Sequence, residues 1–183
     1  MRNKIWRIKF LQVLLMIIFS SIAGAQPKIY QAAKATVGIE IDGQANEPAW
    51  QTAPWSDDFV DIEGDSKPLP EYRTRFKMLW NEEALYILAE MEEPHIWATL
   101  QNRDDIIFYD NDFEVFIDPD GDNHNYFELE ANAFGTEFDL FLNRPYNTGG
   151  RALIGWDIAG LQTGIYADGT INDPTKKKKK WQV

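Results

Sequence analysis

Residues 111–143 read NDFEVFIDPDGDNHNYFELEANAFGTEFDLFLN, and three runs inside this stretch decide the fold. From Asp112 to Asp118, Phe113, Val115 and Ile117 alternate with Glu114 and Phe116. From Tyr126 to Asn132, Phe127, Leu129 and Ala131 fall opposite Glu128, Glu130 and Asn132. From Thr136 to Asn143, Phe138, Leu140 and Leu142 fall opposite Glu137, Asp139 and Phe141. Successive side chains of a strand point to opposite faces, so a two-residue period gives each run one apolar face. The connections are turn-like: Asp118-Pro-Asp-Gly-Asp122 and Ala133-Phe-Gly135. Three consecutive antiparallel strands are predicted.

The same period continues outward. Arg73 to Trp80 sets Phe76, Met78 and Trp80 against Arg73, Arg75 and Lys77, and Leu85, Ile87, Ala89 and Met91 alternate with Tyr86, Leu88 and Glu90. Helical periodicity is scarce, with brief helical or irregular stretches expected around Glu47 to Trp50 and from His95 to about Arg103. Short strands with one apolar face each build an antiparallel β-sandwich of jelly-roll type. One all-β domain is expected over residues 26–183. Trp181-Gln-Val183 begins a further strand that the sequence stops inside, so the sandwich is expected to lack its last strands.

Residues 1–25 read as a signal peptide. Arg2, Lys4, Arg7 and Lys9 make a basic start, Phe10 to Phe19 an apolar stretch, and Ala23-Gly24-Ala25 a small-residue cleavage site. A secreted or periplasmic protein is expected, with cleavage after Ala25 and no membrane attachment afterwards. The chain has no cysteine, which excludes disulfides, thiolate metal sites and a cysteine nucleophile. Its formal net charge of −11, more negative once the basic leader is removed, argues against nucleic acid as a partner. The run Lys176 to Lys180 reads as a solvated turn or a frameshift scar.

Two groups of residues carry candidate chemistry. Asp118, Asp120 and Asp122 offer oxygen at alternate positions, the spacing a hard cation such as Ca2+ requires, although a turn rich in Asp and Gly is common without one. Glu128, Glu130 and Asn132 share one strand face. If Glu137 and Asp139 lie on the matching face of the next strand, with Arg75 and Lys77 nearby, the sheet carries a field of amide, acid and base. Two carboxylates there could serve glycoside hydrolysis, with Glu128 working beside Asp139 or Glu130. A solvated polar face is the commoner outcome. Trp97 and Trp156 fall in segments without strand pattern and are candidates for exposed rings that stack on a sugar.

These motifs have a precedent. Asp42-Gly-Gln-Ala-Asn-Glu-Pro-Ala-Trp50, Phe59-Val-Asp-Ile-Glu-Gly64, Arg73-Thr-Arg-Phe-Lys-Met-Leu-Trp80, Asn111-Asp-Phe-Glu-Val-Phe-Ile-Asp118 and Asn125-Tyr-Phe-Glu128 occur in order. In this respect the chain resembles family 9 carbohydrate-binding modules, most nearly the family 9-like proteins exported by Bacteroidetes-type bacteria. The resemblance implies a non-catalytic β-sandwich that binds sugars in polysaccharide degradation, beside or fused to glycoside hydrolases. Structural calcium is implied as well. On that reading Trp97 and Trp156 would stack on the sugar, while Arg103, Glu128, Glu130 and Asn132 would hydrogen-bond its hydroxyls. The alternative is a glycoside hydrolase or an accessory fragment of one.

Overall fold

The computed structural model describes residues 28–175 and 180–183, so the signal-peptide reading of residues 1–25 and most of the lysine run lie outside the described residues. The chain divides into Met1–Tyr30 and Gln31–Val183, and the sandwich is the second unit. Its strands are β1 (Ala33–Lys34), β2 (Thr74–Trp80), β3 (Leu85–Glu92), β4 (Asp112–Ile117), β5 (Tyr126–Asn132), β6 (Glu137–Leu142), β7 (Ala152–Leu153), β8 (Tyr166–Ala167) and β9 (Lys180–Gln182). The five long runs fall where their alternation places them. One sheet has the order β1-β2-β3-β9-β8 and the other β4-β5-β6-β7. Every pairing is antiparallel except β1 with β2. The segment around Pro48–Gln51 forms a 3-10 turn, and no helix among the described residues is long and apolar enough to cross a membrane.

The two sheets bury a shared core. Ala89, Met91 and Trp181 from the first sheet meet Phe113 from the second, together with Ile96, Ala98 and Ala133, and Val115 packs against them. Trp181 is fully buried, and β9 pairs with both β3 and β8, so Trp181-Gln182 does build a strand. Lys180 also leaves the solvated-turn reading. Its Nζ lies 2.5 Å from Oε2 of Glu90, a carboxylate with only 5% of its side chain exposed.

Both sheets are covered on their second faces too, which alternation alone does not reveal. In β2 the row of Arg75, Lys77 and Leu79 lies under the 3-10 turn. Leu79 clusters with Ala49, Trp50, Ala53 and Leu88, Lys77 donates to the Trp50 carbonyl at 2.8 Å, and the Arg75 guanidinium stacks 4.0 Å over Trp55. Trp80, expected on a core face, is instead exposed, with the Lys34 ammonium 5.0 Å from its ring centre. On the second sheet, Ile107 and Leu100 pack over Phe138, Leu140 and Leu142.

The register of β5 and β6 overturns one sequence expectation. Glu128 is paired with Leu140 and Glu130 with Phe138, while Asp139 lies opposite Leu129 and Glu137 opposite Ala131. Directly paired residues share a face, so the acidic row of β5 continues into the apolar row of β6. Alternation fixes which residues of one strand lie together, whereas turn geometry fixes which row of the next strand joins them.

Glycine permits one close approach. A Cβ on Gly43, whose φ is 75°, would lie 2.5 Å from the Tyr166 amide nitrogen, and one on Gly164 would lie 2.4 Å from the Ile41 carbonyl oxygen. The chain before the first 3-10 turn and the chain leading into β8 therefore meet backbone to backbone.

Candidate functional site

Arg103 is the hub of the polar surface beside β6. The turn that carries it closes through the Asp104 amide, which donates to the Glu137 carbonyl at 3.1 Å with Asp104 in the left-handed region at φ 66°. The guanidinium donates to Glu137, to the fully buried Asp139 and, at 3.2 Å, to Asp157. Burial alone would lower the Arg103 pKa, but Asp139, Asp157 and Glu137 outweigh it and hold the group above its ordinary value. The guanidinium is thus permanently charged, rigid and, with 40% of the side chain exposed, still accessible.

The loop after β7 completes this surface. The Ile158 amide donates to the second oxygen of Asp139. Two residues earlier, Trp156 stacks on Phe127 at a centroid distance of 5.5 Å and lies 5.7 Å from Phe141. Trp156 is therefore half-buried and backed by two rings, a fixed wall rather than a free-standing side chain. Arg103, Asp157 and Trp156 come together, which joins two of the sequence candidates to a third residue, Asp157. Trp97 is 49% exposed. Its neighbour Ala98 is held through its amide and carbonyl by the Asn172 side chain.

The other candidates lie on the opposite face of the same sheet. Asn132 is fully buried and spends its whole hydrogen-bonding capacity internally. Its amide donates to the Leu100 carbonyl and to Asp110, and its oxygen accepts from the Phe134 and Thr136 amides. The expected role of Asn132 in holding a sugar hydroxyl is therefore corrected: no donor or acceptor is left for a ligand. Glu128 and Glu130 are 5% and 1% exposed, so they too cannot stand on a sugar-contacting surface, against expectation. Glu128 accepts the Tyr146 hydroxyl at 2.9 Å.

The proposed catalytic pairing of Glu128 with Asp139 is not assembled, because the two project from opposite faces of the sheet. Arg75 and Lys77 are likewise elsewhere, on β2 of the other sheet. What the sheet does gather is like charge. Oxygens of Glu114, Glu128 and Glu130 all lie within 4.8 Å of one another, with Asp112 further along the same row. Burial and the neighbouring carboxylates push Glu130 up to about 8, Glu114 to about 7 and Asp112 to about 6.

A cavity of about 580 Å³ opens between the sheets, lined by Leu85, Ile87, Phe113, Val115, Phe127 and Leu129 among others. Glu40, Gln44, Glu83, Gln162 and Thr163 add polar groups to the same lining.

With this geometry in place, the known proteins can be compared. The family model described as carbohydrate family 9 binding domain-like matches residues 41–144, more than half of the chain. The chain belongs to this family. A solved carbohydrate binding module of family 9 from Caldicellulosiruptor kristjanssonii, in complex with cellotriose, is similar at 18% identity and a TM-score of 0.46, over 83% of this chain and 65% of that one. The chain thus spans less than two thirds of that module. No curated protein sequence matches.

The matched stretch of this family 9-like domain contains Arg103, Trp97 and the acidic row of β4 and β5, and it ends before Trp156 and Asp157. It also contains the Asp118–Asp122 turn, where the carboxylates are in use. Asp118 accepts from the Gly121 and Asn123 amides, and Asp122 accepts from the His124 amide. Oxygens of Asp118, Asp120 and Asp122 do approach within 4.8 Å of one another. Sequence reasoning missed Asp157 and Tyr146. Asp157 adjoins a tryptophan already singled out, whereas nothing in the sequence marks Tyr146, which reaches Glu128 only through the 3-10 turn Tyr146–Thr148.

Proposed function

We propose that this domain binds carbohydrate without catalysing its cleavage, in an exported protein that takes part in polysaccharide degradation alongside glycoside hydrolases. The observation that carries the reading is the family match over residues 41–144. The platform beside β6 supports it chemically. Trp156 offers a ring braced by Phe127 and Phe141, and the exposed edge of Arg103 and the Asp157 carboxylate offer a donor and an acceptor beside it. A pyranose presents an apolar C–H face to such a ring and hydroxyls to such a rim. Trp97 is a second exposed ring on the same domain. Calcium at the Asp118–Asp122 turn would be structural in this reading.

The test is calorimetry and tryptophan emission on the full chain, titrated with soluble gluco-, xylo- and manno-oligosaccharides. Binding in the micromolar to millimolar range is expected with at least one of them, since a small wet site yields modest affinity. Trp156→Ala and Asp157→Ala should each weaken it tenfold or more, and Trp97→Ala reports whether the second ring joins the site. Absence of binding across the panel at millimolar sugar, or binding indifferent to all three substitutions, would sink the proposal.

A further inference from the structure

β3 is paired along only part of one edge. On one side β2 runs beside it from Leu85 to Met91. On the other, β9 meets Glu90–Glu92, and the ladder ends where Ala89 and Val183 exchange amide-to-carbonyl bonds of 2.8 and 3.2 Å. In an antiparallel strand such bonds leave the same edge at every second residue. The amides and carbonyls of Ile87 and Leu85 therefore point to that edge, where no strand among the described residues meets them.

The cavity of about 580 Å³ lies beside this edge, and its lining gives its shape. Ile87, Phe113 and Val115 border it from the shared core. Trp50 and Leu88, which belong to the cluster on the outer face of the first sheet, border it as well. A pocket enclosed between two sheets is bordered by inward-facing residues alone, whereas this one reaches both faces of β3. It is a gap in the sheet itself, with β3 on one side and residues 160–164, which lead into β8, on the other. Further along, a single strand, β9, separates β3 from β8, and the gap prolongs the place of that strand. Trp50 supplies an independent sign. The residue is 3% exposed, yet its indole Nε1 is buried without a hydrogen-bond partner. Buried indole N–H groups normally have an acceptor, and a backbone carbonyl lying in the gap would supply one.

We propose that this gap is the docking site for an extended segment of a partner polypeptide, added antiparallel to β3 beyond Val183. The partner's backbone exchanges hydrogen bonds with Ile87 and Leu85, which gives affinity, and its side chains give specificity. Directly paired residues share a face, so the partner residues opposite Ile87 and Leu85 are apolar and fill the space over Phe113 and Val115. Leu85 is 49% exposed, so the segment enters from the end nearest the β2–β3 turn without unfolding the sandwich. Glu83 lines the gap at that end, where the C-terminus of an antiparallel partner lies, and selects a Lys or Arg there. The proposal does not rest on the carbohydrate reading.

The test titrates the full chain with short capped peptides in which Val, Ile, Leu or Phe alternates with Thr before a final Lys. Calorimetry reads binding, and amide exchange reads its place. At least one peptide is expected to bind and to slow exchange of the Ile87 amide tenfold or more. The same peptide N-methylated at its apolar residues has lost the donors that face β3 and should bind at least tenfold more weakly. Glu83→Lys, at an exposed position where folding is not at risk, should weaken the Lys-ended peptide and strengthen a Glu-ended one. The proposal is overturned if no peptide binds at millimolar concentration, or if the N-methylated peptide binds as well as its parent. It is equally overturned if decanoate displaces the peptides and leaves the Ile87 amide unprotected, which makes the gap a small-molecule pocket. Protection of Ile87 by self-association alone would assign the edge to a second copy and overturn it too.

Discussion

The indole N–H of Trp181 donates to Oε2 of Glu93 at 2.9 Å, and the other oxygen of the same carboxylate accepts the Asn111 amide at 2.7 Å. One side chain just past β3 thus ties β9 of the first sheet to the approach to β4 of the second. Trp181 also fills the shared core. Trp181→Phe keeps most of the ring but leaves a largely buried carboxylate short of a donor, and about 2 kcal/mol is expected. Trp181→Ala adds the loss of packing and should cost about 4 kcal/mol. Urea unfolding monitored by far-UV circular dichroism measures both; a Trp181→Phe cost near zero would show that the hydrogen bond contributes nothing.

Arg103 neutralises Asp139, which has no exposed surface. Removing the guanidinium leaves the buried Asp139 carboxylate with the Ile158 amide as its remaining donor, so Arg103→Leu is expected to destabilise the domain by about 2 kcal/mol. Because Ile158 binds the same carboxylate, the loop bearing Trp156 should loosen, with faster amide exchange over residues 154–160. Unchanged exchange in that loop would separate the hub from the aromatic wall.

Glu90 contributes to the acid limb of stability. Burial would raise its pKa, but hydrogen bonds from Lys180 and Arg75 prevail and hold it below the ordinary 4.5. An unfolded glutamate near 4.5 binds protons that the folded one refuses. The stabilisation is therefore complete above pH 4.5 and is withdrawn as pH falls below that value. Unfolding midpoints between pH 3 and pH 6 should fall steeply at the acid end, and Glu90→Gln should flatten the curve while costing about 3 kcal/mol near neutrality. A Glu90→Gln curve parallel to the wild type would assign the acid limb to other groups.

Asn132→Leu should prove among the most destabilising single changes on the second sheet. It strips the partners of the Phe134 and Thr136 amides and takes one donor each from Asp110 and the Leu100 carbonyl, which keeps the Thr136 hydroxyl, for an expected cost of about 3 kcal/mol. In whatever fraction folds, sugar affinity should be unaltered; a specific loss of affinity at full folding would restore Asn132 to the binding surface.

Gly43→Ala combines strain at a positive φ with a Cβ 2.5 Å from a backbone nitrogen, where no flexible side chain can yield. A cost of more than about 2 kcal/mol is expected. Gly38→Ala, where nothing lies within 4 Å, is the control and should be neutral within about 0.5 kcal/mol.

Strand positions were legible in the sequence because hydrophobic alternation is a property of single runs: β5 occupies Tyr126–Asn132, as its pattern requires. Relations between runs were not. The face that Glu128 shares depends on the β5–β6 register, and that Arg75 and Lys77 are covered depends on a turn more than 20 residues away. The candidate site was legible as residue types, tryptophan with arginine and acid. Its membership turned on burial, which moved Asn132, Glu128 and Glu130 inward and left Arg103 with Trp156 outside. Two-residue strands such as β1 and β8 are too short to carry any period.

Both outer faces of the sandwich carry a cover of their own chain, the Pro48–Gln51 segment over one and residues 100–107 over the other. On the carbohydrate-binding reading proposed above, recognition would then fall to loops. Loops accept insertions and exchanges that a packed sheet does not. Under that reading the framework and the specificity of this domain could diverge independently: replacing residues 154–160 would retarget the proposed platform while the strands, their register and the shared core stay as they are.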